Sequence, residues 1–509
     1  MKSVFILYFS IAVQCIELGS TTPYPASDYS PLPDKQLLQV HMFTRHGARF
    51  PTAKSFQAHL DVANLVQSSP LFKNEQIDLG YGNTSNAGLL HPTGKSSVFE
   101  YGQRFQARYK QTNLLTDHSK FFSSSSNDKR VLQTASSFFT GMAGTDLPNG
   151  VVKNRTLDSD NDMNKSCFLY VNTPKNKQEA KAFENSIKGE LASRVNSKLQ
   201  LNLNDTQVST LQDACAFQLA FGSTLDKSVC KPFDEQDFVD FALDDDLAKF
   251  YTLSYGLEPP FNSQFGCSPL AGLVANINNP QLSATFHFGH AETIIPIVTS
   301  LGLFKDAQPL RANDACLAGR QFQVTKIAPF QTNLVFEVYA GQSPSNPDLR
   351  LLMNEKPIDL PCSKNGLVSL QEFESFYQEV LTCKFDSICQ NPYTTIGGSN
   401  GNTGNVSVST DIPAIPTPTV QVPIATPPVD IPPAVFTNIP TVIPTPAVGI
   451  PAPVAGIPTP AANIPTPAAN IPTPIANMPV AAPATATKAI VSSALLPFNF
   501  HFLFVLLLV

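Results

Sequence analysis

An apolar-rich run, Leu37 to Phe43, ends in Thr44-Arg45-His46-Gly47-Ala48-Arg49-Phe50-Pro51-Thr52. The run reads as a short buried strand, and Gly47 and Pro51 break it, so the loop leaves the strand at its carboxyl end. In an open α/β sheet that is where ligands bind. Two guanidiniums flank one imidazole within five residues, and burying such a cluster is unfavourable unless an anion neutralises it. Phosphate suits the cluster, because Arg presents forked donors to its oxygens while His supplies a nitrogen nucleophile.

A second His leaves a strand in the same way. Ala284 to Phe288 reads as a strand, Gly289-His290 as the turn, and the next run as a helix carrying Ile294, Ile295, Val298 and Leu301. Between the two, Leu89 to Lys110 has a Pro-initiated helical pattern with Val98, Tyr101, Phe105 and Tyr109 on its apolar face. Lys120 to Val131 predicts a short strand, a Ser/Asn/Asp turn and the start of a helix, with Arg130 in its first turn. Asn333 to Tyr339 alternates as a strand, and Leu349 to Pro361 reads as its hairpin partner. Helical patterns around Gln178 to Gln200 and Glu235 to Tyr255 predict a mostly helical insertion over residues 143–265. The acidic run Asp158 to Asp162 starts like a calcium loop, but Met163 and Leu169 stand where Gly and the closing Glu are needed, so a solvated loop is expected.

The segment RHGARFP resembles the RHGxRxP signature of the histidine acid phosphatases, the branch of the histidine phosphatase superfamily that includes fungal phytases and multiple inositol-polyphosphate phosphatases. The resemblance covers about residues 36 to 390 and implies an α/β fold, with a central mixed sheet flanked by helices and a small helical domain. It implies that His46 is the nucleophile and that Arg45 and Arg49 bind the phosphoryl group, with Arg130 as a third guanidinium. His290-Ala291-Glu292 resembles the inositol-polyphosphate phosphatase form, HAE, of a motif that is usually HD in phytases. By that likeness His290 holds a phosphoryl oxygen and Glu292 protonates the leaving group. The stretch LLHPTGKSSVFEYGQRFQARYK resembles the family's LTxxGxxQxxxLGxRxxxRY, with His91, Ser97 and Tyr101 replacing Thr, Gln and Leu. Lys54 takes the place of a Lys near the substrate rim of inositol-polyphosphate phosphatases, or is a solvated residue at a helix start.

The remainder of the chain points to the secretory pathway. Residues 1–20 carry Lys2, an apolar run and Gly19-Ser20, a leader pattern too short to span a membrane. Cys167, Cys215, Cys230, Cys267, Cys316, Cys362, Cys383 and Cys389 follow it, an even count that predicts four disulfides and fits no paired zinc pattern. Cys383 and Cys389 are close enough to close a small loop. Asn83, Asn154, Asn164, Asn204 and Asn405 head glycosylation sequons.

A phosphatase domain is expected over residues 21–395 and a stalk over 396–490, Gly/Asn-rich at first. Of residues 411–490, 21 of 80 are Pro and only Asp411, Asp430 and Lys488 are charged, so the segment cannot bury a core and is expected to be disordered. Seven-residue repeats start at Gly449, Gly456, Asn463 and Asn470. Residues 491–509 form an apolar tail that fits a lipid-anchor signal or, failing that, a retained membrane helix.

The net charge of -6 gives no reason to expect nucleic acid. The expected protein is a cofactor-free, metal-free phosphomonoesterase, secreted to the cell surface and acting on inositol polyphosphates through a phosphohistidine. A broad acid phosphatase and a non-catalytic surface glycoprotein are the alternatives.

Overall fold

The computed structural model describes residues 18–27, 29–144, 152–155, 160–313 and 319–391. Most of the leader, Cys316, the side chain of Asn154, Asn405, the stalk and the apolar tail lie outside the described residues. No helix of the described residues is long and apolar enough to cross a membrane.

In chain order the principal elements begin with β1 (Leu37–Arg45), α1 (Ala53–Val66), α2 (Pro92–Tyr109), β2 (Phe121–Ser126), α3 (Lys129–Ala143) and β3 (Val152–Arg155). Three long helices follow, α4 (Gln178–Leu199), α5 (Asp205–Ala220) and α6 (Glu235–Leu253). The chain then returns through β4 (Ala284–Gly289), α7 (Ala291–Ser300), β5 (Asn333–Ser343), β6 (Asn346–Met353), β7 (Lys356–Ile358) and β8 (Val368–Ser369). One mixed sheet takes the order β3-β2-β4-β1-β5-β6-β7, with β8 beside β6. β1, β2, β3 and β4 are parallel, whereas β5, β6 and β7 pair antiparallel. This is the mixed, helix-flanked sheet that the sequence predicts.

Buried residues alternate between two faces of β1, as a strand covered on both sides requires. Val40 and Met42 pack with Val98, Tyr101 and Phe105 of α2 and Phe138 of α3, while Phe43 joins Ile294, Ile295 and Val298 of α7. Burying a side chain of this size contributes about 1.5–3 kcal/mol each, so the two helical layers fix the height of β1, and with it the loop that follows. The insertion has a core of its own, in which Leu191, Val195, Leu211 and Phe238 meet Phe56, Val62 and Val66 of α1. Asn204 caps α5 through a reciprocal bond with Gln207. Within the stretch read as helical, β3 instead extends the main sheet through β2.

The motif loop is clamped by the start of α2. Phe50 N–H donates to Leu89 O at 2.9 Å, and His91 N–H donates to Ala48 O at 2.9 Å. Gly94, in the first turn of the helix, lies so close that a Cβ there would stand 2.1 Å from Ala48 O. Gly94→Ala is therefore expected to lower stability by about 1–3 kcal/mol, the usual cost of overpacking. Urea denaturation checks this, and an unchanged midpoint would show that the helix gives way freely.

Three disulfides join Cys167–Cys389, Cys215–Cys230 and Cys267–Cys383. The expected small loop between Cys383 and Cys389 does not form. These residues bracket a short helix, Phe385–Ile388, and each ties the end of the domain to a distant segment. Cys362 is half-buried and forms no disulfide within the described residues.

Candidate active site

Sheet register brings the two His motifs together. β1 and β4 lie side by side and parallel with Arg45 opposite Gly289, so the next residue of each strand leaves at the same edge. His46 N–H donates to Gly289 O at 3.0 Å, and the two imidazole centroids are 5.5 Å apart. β2 flanks β4 on its other side, and the chain leaving it supplies Arg130 from the first turn of α3.

His46 is buried, with its Nδ1 2.9 Å from Gly47 O. A carbonyl can only accept, so Nδ1 carries the proton and Nε2 keeps its lone pair. Burial, together with Arg45, His290, Arg130 and Arg49, holds the imidazole well below its ordinary pKa. It is thus neutral, with its Nε2 lone pair free, at neutral pH.

Two of the guanidiniums around it, Arg45 and Arg49, are held by carbonyls and rings, whereas Arg130 lies 3.4 Å from the Asp128 carboxylate. Arg45 donates from Nη1 to Ser20 O and to Ala328 O, and lies 4.6 Å over the Phe330 ring. Arg49 donates to Phe50 O at 2.9 Å and faces Phe217 at 5.5 Å. Burial lowers both to about 10, opposed for Arg45 by Glu292 and reinforced for Arg49 by Arg130. The Nε of Arg45, of Arg49 and of Arg130 is buried without an acceptor. An unmet buried donor costs about 1–3 kcal/mol, and three converging guanidiniums add mutual repulsion. Both costs fall when an oxyanion enters among them.

His290 Nε2 lies 2.8 Å from Arg130 Nη2 and 2.9 Å from Asp128 Oδ2. It accepts from the guanidinium when its lone pair is free and donates to the carboxylate when it carries the proton. Its pKa is lowered by burial, with Asp128 opposing. Glu292 sits in the first turn of α7, 3.5 Å from Lys249 Nζ of α6. Burial pushes its carboxyl up, but Lys249, His290, a backbone N–H and Arg45 together pull it down to about 2.

The sequence profile of the histidine phosphatase superfamily (branch 2) matches residues 36–354. The chain belongs to that superfamily. Among its relatives, multiple inositol polyphosphate phosphatase 1 of Gallus gallus is 24% identical over 394 residues, covering 70% of this chain and 84% of that protein. An acid phosphatase of Schizosaccharomyces pombe is 24% identical over 396 residues, covering 72% and 83% respectively. Two solved structures share the fold. The phytase of D. castellii has a TM-score of 0.62 at 20% identity, covering 74% of this chain and 87% of that one. The multiple inositol polyphosphate phosphatase of Bifidobacterium longum, in complex with inositol hexasulfate, has a TM-score of 0.54 at 16% identity, covering 71% and 97%.

In this branch-2 histidine phosphatase, six residues singled out from the sequence (Arg45, His46, Arg49, Arg130, His290 and Glu292) gather at one sheet edge, on the interactions given above. Lys54 is exposed on α1 and lines a cavity of about 1030 Å³. Asp128, Asp162, Lys165, Lys249 and the Ser20 carbonyl escaped the sequence reading. Asp162 belongs to the run expected to be a solvated loop, yet Asn161 and Asp162 are buried, and Ser126 Oγ donates to Asp162. That placement is tertiary and leaves no local pattern, whereas Asp128 stands two residues before Arg130, within the turn read between strand and helix. Leu18 and Gly19 are also buried, so the folded body reaches into the stretch read as leader.

Asp128, Asp162 and His290 lie near enough to one another to share a divalent ion. Lys165 Nζ, however, is 2.9 Å from both carboxylates and supplies the cation there itself. Hydrogen bonding to His290, aided by Lys165 and Arg130, holds Asp128 far below the ordinary carboxylate range.

Proposed function

We propose that this histidine phosphatase is a phosphomonoesterase of inositol phosphates that works through a phosphohistidine on His46. The observation that carries the reading is the pairing of a free Nε2 lone pair on His46 with three buried guanidinium Nε donors that lack acceptors. The same groups suit a phosphoryl group whose equatorial oxygens carry the charge and whose phosphorus faces the nucleophile. Relatives named for inositol polyphosphates and phytate support the substrate class.

In the first step His46 Nε2 attacks phosphorus in line. The P–N bond forms, the ester P–O bond breaks, and Glu292 gives its proton to the departing alkoxide. In the second step the Glu292 carboxylate takes a proton from water, the resulting hydroxide attacks phosphorus, and the P–N pair returns to Nε2. Glu292 must therefore be protonated before the first step, although its neighbours hold it ionised. A bound phosphate offsets the positive field of Arg45 and His290 and so raises the carboxyl toward the working range.

Arg45, Arg49, Arg130 and His290 provide the charge stabilisation that a metal gives elsewhere. Phosphate release from inositol phosphates is accordingly expected to be unaffected by EDTA, and a loss of activity restored by added divalent ion would overturn this. The leader pattern, the sequons and the apolar tail support secretion to the cell surface with a lipid anchor. Asn83 and Asn204 are both exposed, as glycan acceptors need to be. Release from intact cells by phosphatidylinositol-specific phospholipase C tests the anchor.

A further inference from the structure

The cavity beside the phosphate cage has walls of unexpected sign. It measures about 1030 Å³ and lies between α1 and the insertion helices. It adjoins the cage at two points. Ser20, which holds Arg45 through its carbonyl, lines the cavity and donates its N–H to Asp245 at 2.6 Å. Asp213, also in the wall, acts electrostatically on Arg49 and accepts from His59, whose other ring nitrogen meets Tyr81. Through Ser20 and Asp213 the cavity wall is thus coupled to Arg45 and Arg49 of the cage.

Five carboxylates line it, those of Glu184, Asp205, Asp213, Asp244 and Asp245. Only Lys54 and Lys188 bring ammonium groups. The carboxylates feel one another, for burial, Asp245 and Glu184 push Asp244 up to about 6. A ring bearing six phosphates, with one seated in the cage, carries five more, each with about -1.5 to -2 charges, and any of them that reaches this wall meets its carboxylates. Like charges a few ångströms apart across a partly enclosed cavity repel more strongly than in bulk water. A ring bearing one phosphate brings none.

We propose that the acidic cavity sets specificity toward phosphomonoesters whose leaving alcohol carries few or no further phosphates, and that it disfavours the fully phosphorylated ring. The inference rests on the reading of the site as a His46 phosphomonoesterase and selects among its substrates. It assigns Glu184, Asp205 and Asp244 as specificity determinants that touch neither phosphorus nor nucleophile.

The test compares kcat/KM for myo-inositol monophosphate and inositol hexakisphosphate on the full chain, with EDTA present. The wild type is expected to favour the monophosphate by about tenfold or more. The combined variant Glu184→Gln, Asp205→Asn and Asp244→Asn is expected to raise the hexakisphosphate value about tenfold while leaving the monophosphate value within about threefold. Glu184→Lys, a single change at an exposed helical position, should shift the ratio in the same direction and serves if the triple variant fails to fold. A wild type that prefers the hexakisphosphate would overturn the inference, as would variants that retain monophosphate turnover at an unchanged ratio. Turnover of neither ester by the wild type, or turnover surviving His46→Ala, would instead remove the underlying phosphatase reading.

Discussion

His46→Ala is expected to lower kcat/KM for p-nitrophenyl phosphate by about 10⁵-fold or more, as loss of a covalent nucleophile does. Binding of inorganic phosphate should survive the change. The imidazole is neutral in the folded protein, because burial, the three guanidiniums and His290 keep it so, so its removal takes no charge from the cage. The three guanidiniums remain, held by Ser20, Ala328, Phe50 and His290. Calorimetric titration with phosphate beside the kinetic assay separates the two effects. Loss of both together would mean that His46 holds the loop rather than attacks phosphorus, and full turnover in the variant would rule out the nucleophile.

Glu292→Gln should divide the two half-reactions. For an alkyl phosphate the leaving alkoxide needs a proton, and the rate is expected to fall about 10²- to 10⁴-fold. For p-nitrophenyl phosphate the leaving group departs without help, so the first step stays fast while water attack on the phosphoenzyme slows. A burst of p-nitrophenol followed by slow turnover is the expected trace. The pH dependence has a definite sign. A carboxyl held down at about 2 is increasingly ionised above that pH, so the protonated fraction needed by free enzyme falls as pH rises. Wild-type kcat/KM for alkyl phosphates is expected to rise toward acid, and Glu292→Gln should flatten that part of the profile. An equal slope in both proteins would assign the proton to the substrate or to another group.

The core of the site was legible because it is local in sequence. Each His leaves an apolar strand beside a break, Gly47 after His46 and Gly289 before His290, and those features alone place it at a sheet edge. That β1 and β4 are neighbours, with Arg45 opposite Gly289, is a matter of strand order, which periodicity does not carry. The supporting shell was largely hidden for the same reason. Lys249 reaches Glu292 from α6, 43 residues earlier in the chain, and on its own helix it reads as a solvated charge. Asp162 is buried with Ser126, Lys165 and His290 around its carboxylate. Sequence proximity also misled for Cys383 and Cys389, whose observed partners are 116 and 222 residues away. Loop-closure cost grows only slowly with length, so packing rather than proximity decides the pairing.

The most direct test of a phosphohistidine on His46 is to trap it. Glu292→Gln would be mixed with ³²P-labelled p-nitrophenyl phosphate, quenched in base during the burst, digested and mapped. The prediction is near-stoichiometric label on the peptide containing His46, stable to base, lost in acid and absent when His46→Ala is added. A phenol burst with no covalent label, or label on a different side chain, would contradict the account.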